Sequence, residues 1–237
     1  MKFKTPLIKA TLIKRYKRFL ADVSLVSGET ITIHTANTGT MLGCSAPGSA
    51  VWISDSQNPK RKCRYSWELT ELEQGAFVGI NTMLSNHLVK EGIENGMIKE
   101  LQGFDVIRSE VQYGSENSRI DLLLENDGKG EKCYVEVKNV TAVIDGMALF
   151  PDAVSKRGAK HLRELIEMVN EGHRAVMCFC IQREDASVLR PADEIDKVYG
   201  ETLRHALDCG VEAIAYMADL STCGIELVKG LPVVTTY

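Results

Sequence analysis

The apolar residues of this chain change period once, near residue 80, and that change limits the fold more than any single motif does. Before it, β-prone or alternating segments follow one another closely: Ile8–Phe19, Ala21–Leu25, Thr30–Thr35, Ala50–Ser54 and Cys63–Leu69. Turn formers separate them at Ser27-Gly28, Asn37-Thr38-Gly39 and Ala46-Pro47-Gly48. Strands this closely spaced predict a small barrel of the OB type. From Asn81 onward, Met83, Leu84, His87, Leu88 and Ile93 recur at helical spacing as far as Gly96. Strands are then predicted over roughly 104–112, 118–125 and 133–140, and a helix over 156–171 with Leu162, Leu165, Ile166 and Val169 inward and Gly172 as its stop. Arg174–Ile181 reads as a central strand covered on both faces, followed by a helix over 194–208 and strands near 211–218 and 225–228. The fold class is therefore α/β with an all-β N-terminal module, divided as residues 1–80 and 81–237, the second part a mixed sheet flanked by helices.

Net charge is only −4, yet it is unevenly spread. Residues 1–64 hold eleven Lys/Arg against three acids (Asp22, Glu29, Asp55), a net of +8, while the remainder carries 17 Lys/Arg and 29 acids, a net of −12. Such asymmetry suits a phosphate-bearing partner, and it also suits a small domain kept soluble by its lysines and arginines; composition alone does not choose. Met1-Lys2-Phe3-Lys4-Thr5-Pro6 has no apolar stretch behind its lysines, and the longest apolar run, Ala175–Ile181, is too short to span a bilayer. An odd count of seven cysteines without a Cys-x-x-Cys pair points to reduced, mostly buried thiols in a cytoplasmic protein with no membrane partner.

The chemistry concentrates in Ser118–Glu125 and Cys133–Lys138. Alternation along a strand turns Ile120, Leu122 and Leu124 one way and Arg119, Asp121 and Glu125 the other. On the second strand Val135 and Val137 turn inward, while Glu136 and Lys138 share the polar side. Residues 126–132 supply a hairpin connection, and folding about its middle brings Asp121 level with Glu136 to within about one residue, roughly 3.3 Å of strand. Two carboxylates so placed suit Mg2+ or Mn2+ with a substrate phosphate completing the coordination, and a neighbouring lysine can orient water or offset phosphate charge. The competing interpretation is an exposed hairpin face bearing ordinary cross-strand ion pairs.

Specific motifs then raise the first interpretation. Ser109-Glu110-Val111-x-Tyr113-Gly114, Ser118-Arg119-Ile120-Asp121, Tyr134-Val135-Glu136-Val137-Lys138-Asn139-Val140-Thr141, Phe150-Pro151-Asp152-Ala153-Val154 and Arg157-Gly158-x-Lys160-His161-Leu162-x-Glu164-Leu165 resemble the sugar fermentation stimulation protein (SfsA) family. The first half matches as well, through Arg15-Tyr16-Lys17-Arg18-Phe19, Asn37-Thr38-Gly39 and Pro47-Gly48-x-x-Val51-Trp52. The resemblance implies an OB-like nucleic-acid-binding domain followed by a PD-(D/E)XK nuclease-like domain, non-specific DNA binding and a regulatory role in sugar (maltose) metabolism. It places the catalytic set on Asp121, Glu136 and Lys138. It also implies a carboxylate from the first core helix, for which Glu91 is the best-placed candidate; Glu110, in the 104–112 strand, is another candidate contributor to the metal site, and Asn139 stands where serine is often expected.

Nucleic acid would meet the cations. Lys14-Arg15-Tyr16-Lys17-Arg18-Phe19 interleaves charge with rings able to stack on bases, so Arg15, Tyr16, Lys17 and Arg18 are candidate contacts; the rings could equally be core. Lys60, Arg61, Lys62 and Arg64 form a second basic run. Arg157, Lys160 and His161 fall in the first turns of the 156–171 helix, where a helix N-terminus favours phosphate. No segment resembles a major-groove recognition helix. Two functions remain: a DNA-binding protein with a metal-dependent nuclease site, or a non-catalytic DNA-binding regulator that retains the nuclease fold.

Overall fold

The computed structural model describes residues 1–126 and 130–235. Asp127, Gly128 and Lys129 of the expected hairpin connection lie outside the described residues.

The first unit is a closed barrel of five strands: β1 (Ile8–Tyr16), β2 (Leu20–Leu25), β3 (Thr30–His34), β4 (Ala50–Asp55) and β5 (Tyr65–Glu71). β1 pairs antiparallel with β2 and β4, β2 with β3, and β4 with β5. A parallel contact, His34 opposite Ser66, joins β3 to β5 and closes the ring. This is the OB-like arrangement that alternation predicts: Leu12, Val23, Ile33, Val51, Ile53 and Trp67 fill the interior. β6 (Phe77–Gly79) extends from β5. The first strand ends at Tyr16 rather than Phe19, because Lys17 and Arg18 adopt left-handed φ of 48° and 61° and make the hairpin turn.

The second unit comprises α1 (Ser85–Glu94), β7 (Val106–Tyr113), β8 (Ser118–Glu125), β9 (Lys132–Val140), β10 (Ala142–Ile144), β11 (Met147–Phe150), α2 (Lys156–Asn170), β12 (Arg174–Ile181), β13 (Val188–Pro191), α3 (Lys197–Asp208), β14 (Glu212–Leu220) and β15 (Ile225–Leu231). Its main sheet runs β15-β14-β12-β9-β8-β7, with β9, β12 and β14 mutually parallel and the remaining pairs antiparallel. α1 covers one face, packing Leu88, Val89 and Ile93 on Leu122, Leu124, Val135, Val137 and Cys178. α2 and α3 cover the other, packing Leu162, Leu165 and Leu203 on Tyr134, Met177 and Phe179. Double coverage explains the unbroken apolar run of β12. A small sheet, β10-β11-β13, was not expected from the sequence; strands of three and four residues are too short to display a period.

Alternation along β8 holds for Leu122 and Leu124 but breaks at Asp121, since Ile120 joins the α2 side with Leu123. On β9 the expected polar side is not a solvent face. It lies under α2, and Glu136 is 2% exposed.

Several contacts tie the units together. Gly79 donates its N–H to the Gln182 carbonyl (2.9 Å), and Thr82 donates to the Ala36 carbonyl (3.3 Å). Asp152 accepts from the Met41 N–H (3.1 Å) and from the Thr40 hydroxyl (3.3 Å). Gly39 is required there, since a Cβ would stand 2.3 Å from the Asp152 carboxylate. Residues Met1–Phe3 join the second unit, with Lys2 bridging to Gly224. Ser155 caps α2 by accepting from the Gly158 N–H (3.0 Å), worth about 1 kcal/mol. Asp196 caps α3 through Tyr199 and also holds the Ser155 N–H at 2.7 Å, so one carboxylate sets both helix starts. Among the described residues no helix is long and apolar enough to cross a membrane, and all seven cysteines are free thiols.

Candidate active site and nucleic-acid interface

The β8–β9 ladder runs from Glu125 opposite Lys132 to Leu122 opposite Val135, and there it stops. The next pair in that register is Asp121 with Glu136. Instead of a strand carbonyl, the Asp121 side chain takes over: Oδ2 accepts from the Val137 N–H at 2.7 Å, and Oδ1 accepts from Asn86 Nδ2 of α1 at 2.8 Å. Across β7 the register places Glu110 opposite Asp121, with a left-handed φ of 56° and an exposed side chain.

Glu136 enters from β9 with Lys138 two residues on. Lys138 Nζ donates to Glu136 Oε1 at 2.6 Å, and Nδ1 of His161, from α2, meets the same oxygen. Arg157 Nε donates to His161 Nε2 at 3.2 Å. Glu136 Oε2 is buried and has no hydrogen-bond partner among the described residues. Two neighbouring polar atoms share that condition, the Tyr113 hydroxyl and Oε2 of the fully buried Glu164.

Charge follows burial. Asp121 is pushed up to about 6, first by burial and then by Glu136, with the Val137 N–H, Lys138 and Asn86 pulling the other way. Burial acts on Glu136 in the same direction, but Lys138 and His161 outweigh it and hold its carboxyl below the ordinary value. Burial, reinforced by Glu136, Glu164 and Asp121, raises Tyr113 and keeps its hydroxyl protonated. Burial of Glu136 removes the exposed ion-pair interpretation of this hairpin.

The site brings together Asp121, Glu136, Lys138 and His161, but not Glu91. That side chain accepts from the Met1 ammonium at 2.7 Å, on the side of α1 that meets the β15 edge. Five residues along a helix rotate a side chain by about 140°, so Asn86 and Glu91 cannot face the same group. Asn86 is the residue α1 contributes. Its signal was available: Asn86, Val89 and Ile93 share a helical stripe, as do His161, Glu164, Leu165 and Met168 on α2. Polar residues on core stripes deserve a function or a partner. Asn139 leaves the site untouched, accepting from Ser85 (2.9 Å) and Gln182 (2.6 Å) on the other face.

Among the described residues, no group of three or more His, Cys, Asp or Glu is gathered for a metal ion. The donors present do suit a hard cation that takes one or two carboxylates and completes its shell with water and phosphate. The bare, buried Oε2 of Glu136 beside Asp121 is the observation that fits, because an unsatisfied carboxylate oxygen in the interior is costly.

The two basic runs of the N-terminal unit converge at one end of the barrel. Phe19, nearly half exposed, stacks on His34 with ring planes 5° apart and centroids 6.4 Å apart. His34 pairs with Ser66, whose hydroxyl accepts from Arg61 at 3.1 Å. Lys17, Arg18, Lys60, Arg61 and Lys62 are exposed around this platform. Three expected contacts have other engagements. Arg15 is half-buried and donates to the carbonyls of Asn37 (2.8 Å) and Arg18 (3.1 Å). Tyr16 donates to Asp22 at 2.9 Å. Arg64 grips Asp55 with two nitrogens, at 3.0 and 2.6 Å. Phe19, not Tyr16, is the available ring. On α2, Arg157 is exposed and Lys160 donates to the Glu116 carbonyl, while His161 is 4% exposed and faces Glu136 rather than solvent.

Comparison with known proteins agrees with this architecture. Residues 13–80 match the "SfsA N-terminal OB domain" and residues 83–224 the "Sugar fermentation stimulation protein RE domain". Sugar fermentation stimulation protein homologs from Thioalkalivibrio sulfidiphilus and Geobacter sulfurreducens are similar, at 55% identity over 98% of both chains and 56% over 96% of both. The structure of Pyrococcus furiosus SfsA in complex with Ca2+ superposes with a TM-score of 0.89 at 28% identity, covering 99% of this chain and 98% of that one. With both units matched in order and relatives aligned over nearly their full length, this chain belongs to the sugar fermentation stimulation protein family.

Proposed function

We propose that the chain binds DNA through its phosphates, without sequence preference, and hydrolyses phosphodiester bonds at Asp121, Glu136 and Lys138 with Mg2+ or Mn2+. The observation that carries this is Glu136: a carboxylate buried under α2, one oxygen satisfied twice and the other bare, beside the half-buried Asp121. Asp121 and Glu136 would hold the cation, which supplies charge neutralisation and a water of lowered pKa when bound. Lys138, 13% exposed at its side chain, places an ammonium where a scissile phosphate can meet it. The Ca2+ complex of the Pyrococcus relative supports a hard, oxygen-ligated cation in this family.

The barrel end supplies the grip. Exposed cations on two turns surround a ring pair, the combination that holds a strand by backbone charge and base stacking. A chain of contacts connects the first barrel turn to the site: Thr35 N–H bonds the Phe19 carbonyl, Ala36 accepts from Thr82, and α1 then presents Asn86 to Asp121. A role in sugar metabolism, as the relatives' name suggests, would act through this same contact.

A second function has its own support. Lys138 already neutralises Glu136, which suits a non-catalytic regulator retaining the fold. Purified protein with labelled single- and double-stranded DNA, plus Mg2+ or Mn2+, separates the two. Cleavage by the wild type that Asp121→Ala abolishes supports hydrolysis; binding without cleavage at any cation concentration supports the regulator.

A further inference from the structure

Two strong donors converge on a single oxygen of Glu136, and the hydrogen-bond chemistry of α2 explains which one. A guanidinium has donors only. Arg157 Nε lies 3.2 Å from His161 Nε2, so that ring nitrogen holds the lone pair and accepts. The ring proton then sits on Nδ1, which faces Glu136 Oε1 and donates to it. Lys138 Nζ is 3.3 Å from the same Nδ1, but an ammonium also has donors only, so the two are neighbours sharing one acceptor oxygen. The opposite tautomer would set an N–H against the guanidinium and a lone pair against a carboxylate.

We infer that His161 is a positioning residue for Glu136: Arg157 selects its tautomer, and the buried ring, acting with Lys138, fixes Oε1 and leaves Oε2 presented for a divalent cation. A lysine alone would not do this, because an ammonium on a four-carbon stem donates in many directions. A planar ring buried in a helix has one direction. The helix itself is placed for the purpose. Ser155 and Asp196 fix its first turn, and Gly158 lets it approach α3 closely, since a Cβ would come within 3.0 Å of the Tyr199 ring. The consequence for cation binding rests on the function proposed above; the orientation of the ring does not.

Three variants separate the parts. His161→Asn retains a donor near the Nδ1 position, His161→Gln retains a polar group near the Nε2 position only, and His161→Ala retains neither. Mn2+ affinity is read by calorimetry on full-length proteins whose thermal unfolding and DNA binding match wild type. The alanine and glutamine variants should bind Mn2+ about 10- to 100-fold more weakly, the range for lost partners of metal ligands, while the asparagine variant stays close to wild type. Nitrogen-15 NMR of the imidazole should show the proton on Nδ1 in the metal-free protein. A proton on Nε2, an alanine variant binding as wild type, or an asparagine variant no better than alanine would each overturn the inference. If the wild type takes up no Mn2+, the cation-dependent function fails instead, and the NMR tautomer still decides whether Arg157 and His161 orient Glu136.

Discussion

At the barrel end, Lys17, Arg18, Lys60 and Lys62 stand on turns with their side chains in water; in the sheet, Asp121, Glu136 and Lys138 are packed between α1 and α2 and answer to one another. Exposed charges act at long range, add together and are screened by salt over about 8–10 Å. Buried charges act over a bond length, resist screening and depend on every neighbour. The first region can therefore gather a polyanion without shape, and the second can act only on what is presented in register.

That contrast is open to direct attack. The largest effect should come from Lys138→Met, which keeps the stem and removes the charge. Cleavage should fall by about 10²- to 10³-fold, the scale for loss of one preorganised electrostatic group, while the salt slope of DNA binding changes by no more than the roughly 0.7 of one phosphate contact. Loss of both together would show that the two regions are not separable. Next in size is the combined change of Lys17, Arg18, Lys60 and Lys62 to alanine. Each phosphate contact contributes about 0.7 to the salt slope on single strands, so the slope should flatten by about 3. Cleavage at saturating DNA should persist. An unchanged slope would move the interface away from the barrel.

The legibility of these regions in the sequence differs for the same reason. Cations on turns survive any packing, so the basic runs were visible as composition, and only their meeting at the Phe19–His34 platform needed the fold. The alternation of Leu122, Leu124, Val135 and Val137 marked the sheet, and hairpin arithmetic placed Asp121 level with Glu136. It could not show that α2 roofs the polar side, because the helix's charged residues suggested an outer face. Lys156, Arg157 and Arg163 do face water, yet His161 and Glu164 turn inward from the same helix. Asn86 was legible from its place on the apolar stripe of α1, but Glu91 sits on the same helix and, as an acid, is the more familiar ligand. Helical rotation turns Glu91 away from the side of α1 that carries Asn86, toward Met1 and the β15 edge.

A smaller effect probes the cost of holding the two acids together. Asp121 is raised from 3.8 to about 6, so the folded state binds its proton more tightly than the unfolded chain does. The stability from that proton is complete below about pH 4 and is lost as pH rises through 6. Asp121→Asn should therefore raise stability at pH 8 by roughly 1–3 kcal/mol and change little at pH 4. Mn2+ should stabilise the wild type at pH 8 and leave the variant unmoved. Chemical denaturation at the two pH values reads this directly. A variant less stable than wild type at pH 8 would mean that the hydrogen bonds to Val137 and Asn86 outweigh the charge cost.

The smallest expected effect tests whether every cation at the barrel end belongs to the interface. Arg64 is exposed but spends two of its three guanidinium nitrogens on Asp55, a pair with no net charge to offer a phosphate. Arg64→Ala alone is a poor test, because it uncovers Asp55 and adds repulsion. Arg64→Ala with Asp55→Asn removes the pair together and keeps an acceptor for the Gln57 N–H that Asp55 now serves at 2.9 Å. Affinity and salt slope should match wild type, against a slope change of about 0.7 for Arg18→Ala measured in parallel. A matching loss in the double variant would mean that Arg64 abandons Asp55 when nucleic acid arrives. Geometry of the unbound barrel would then understate its reach, and the grip would extend along the whole 60–64 turn rather than around the ring platform.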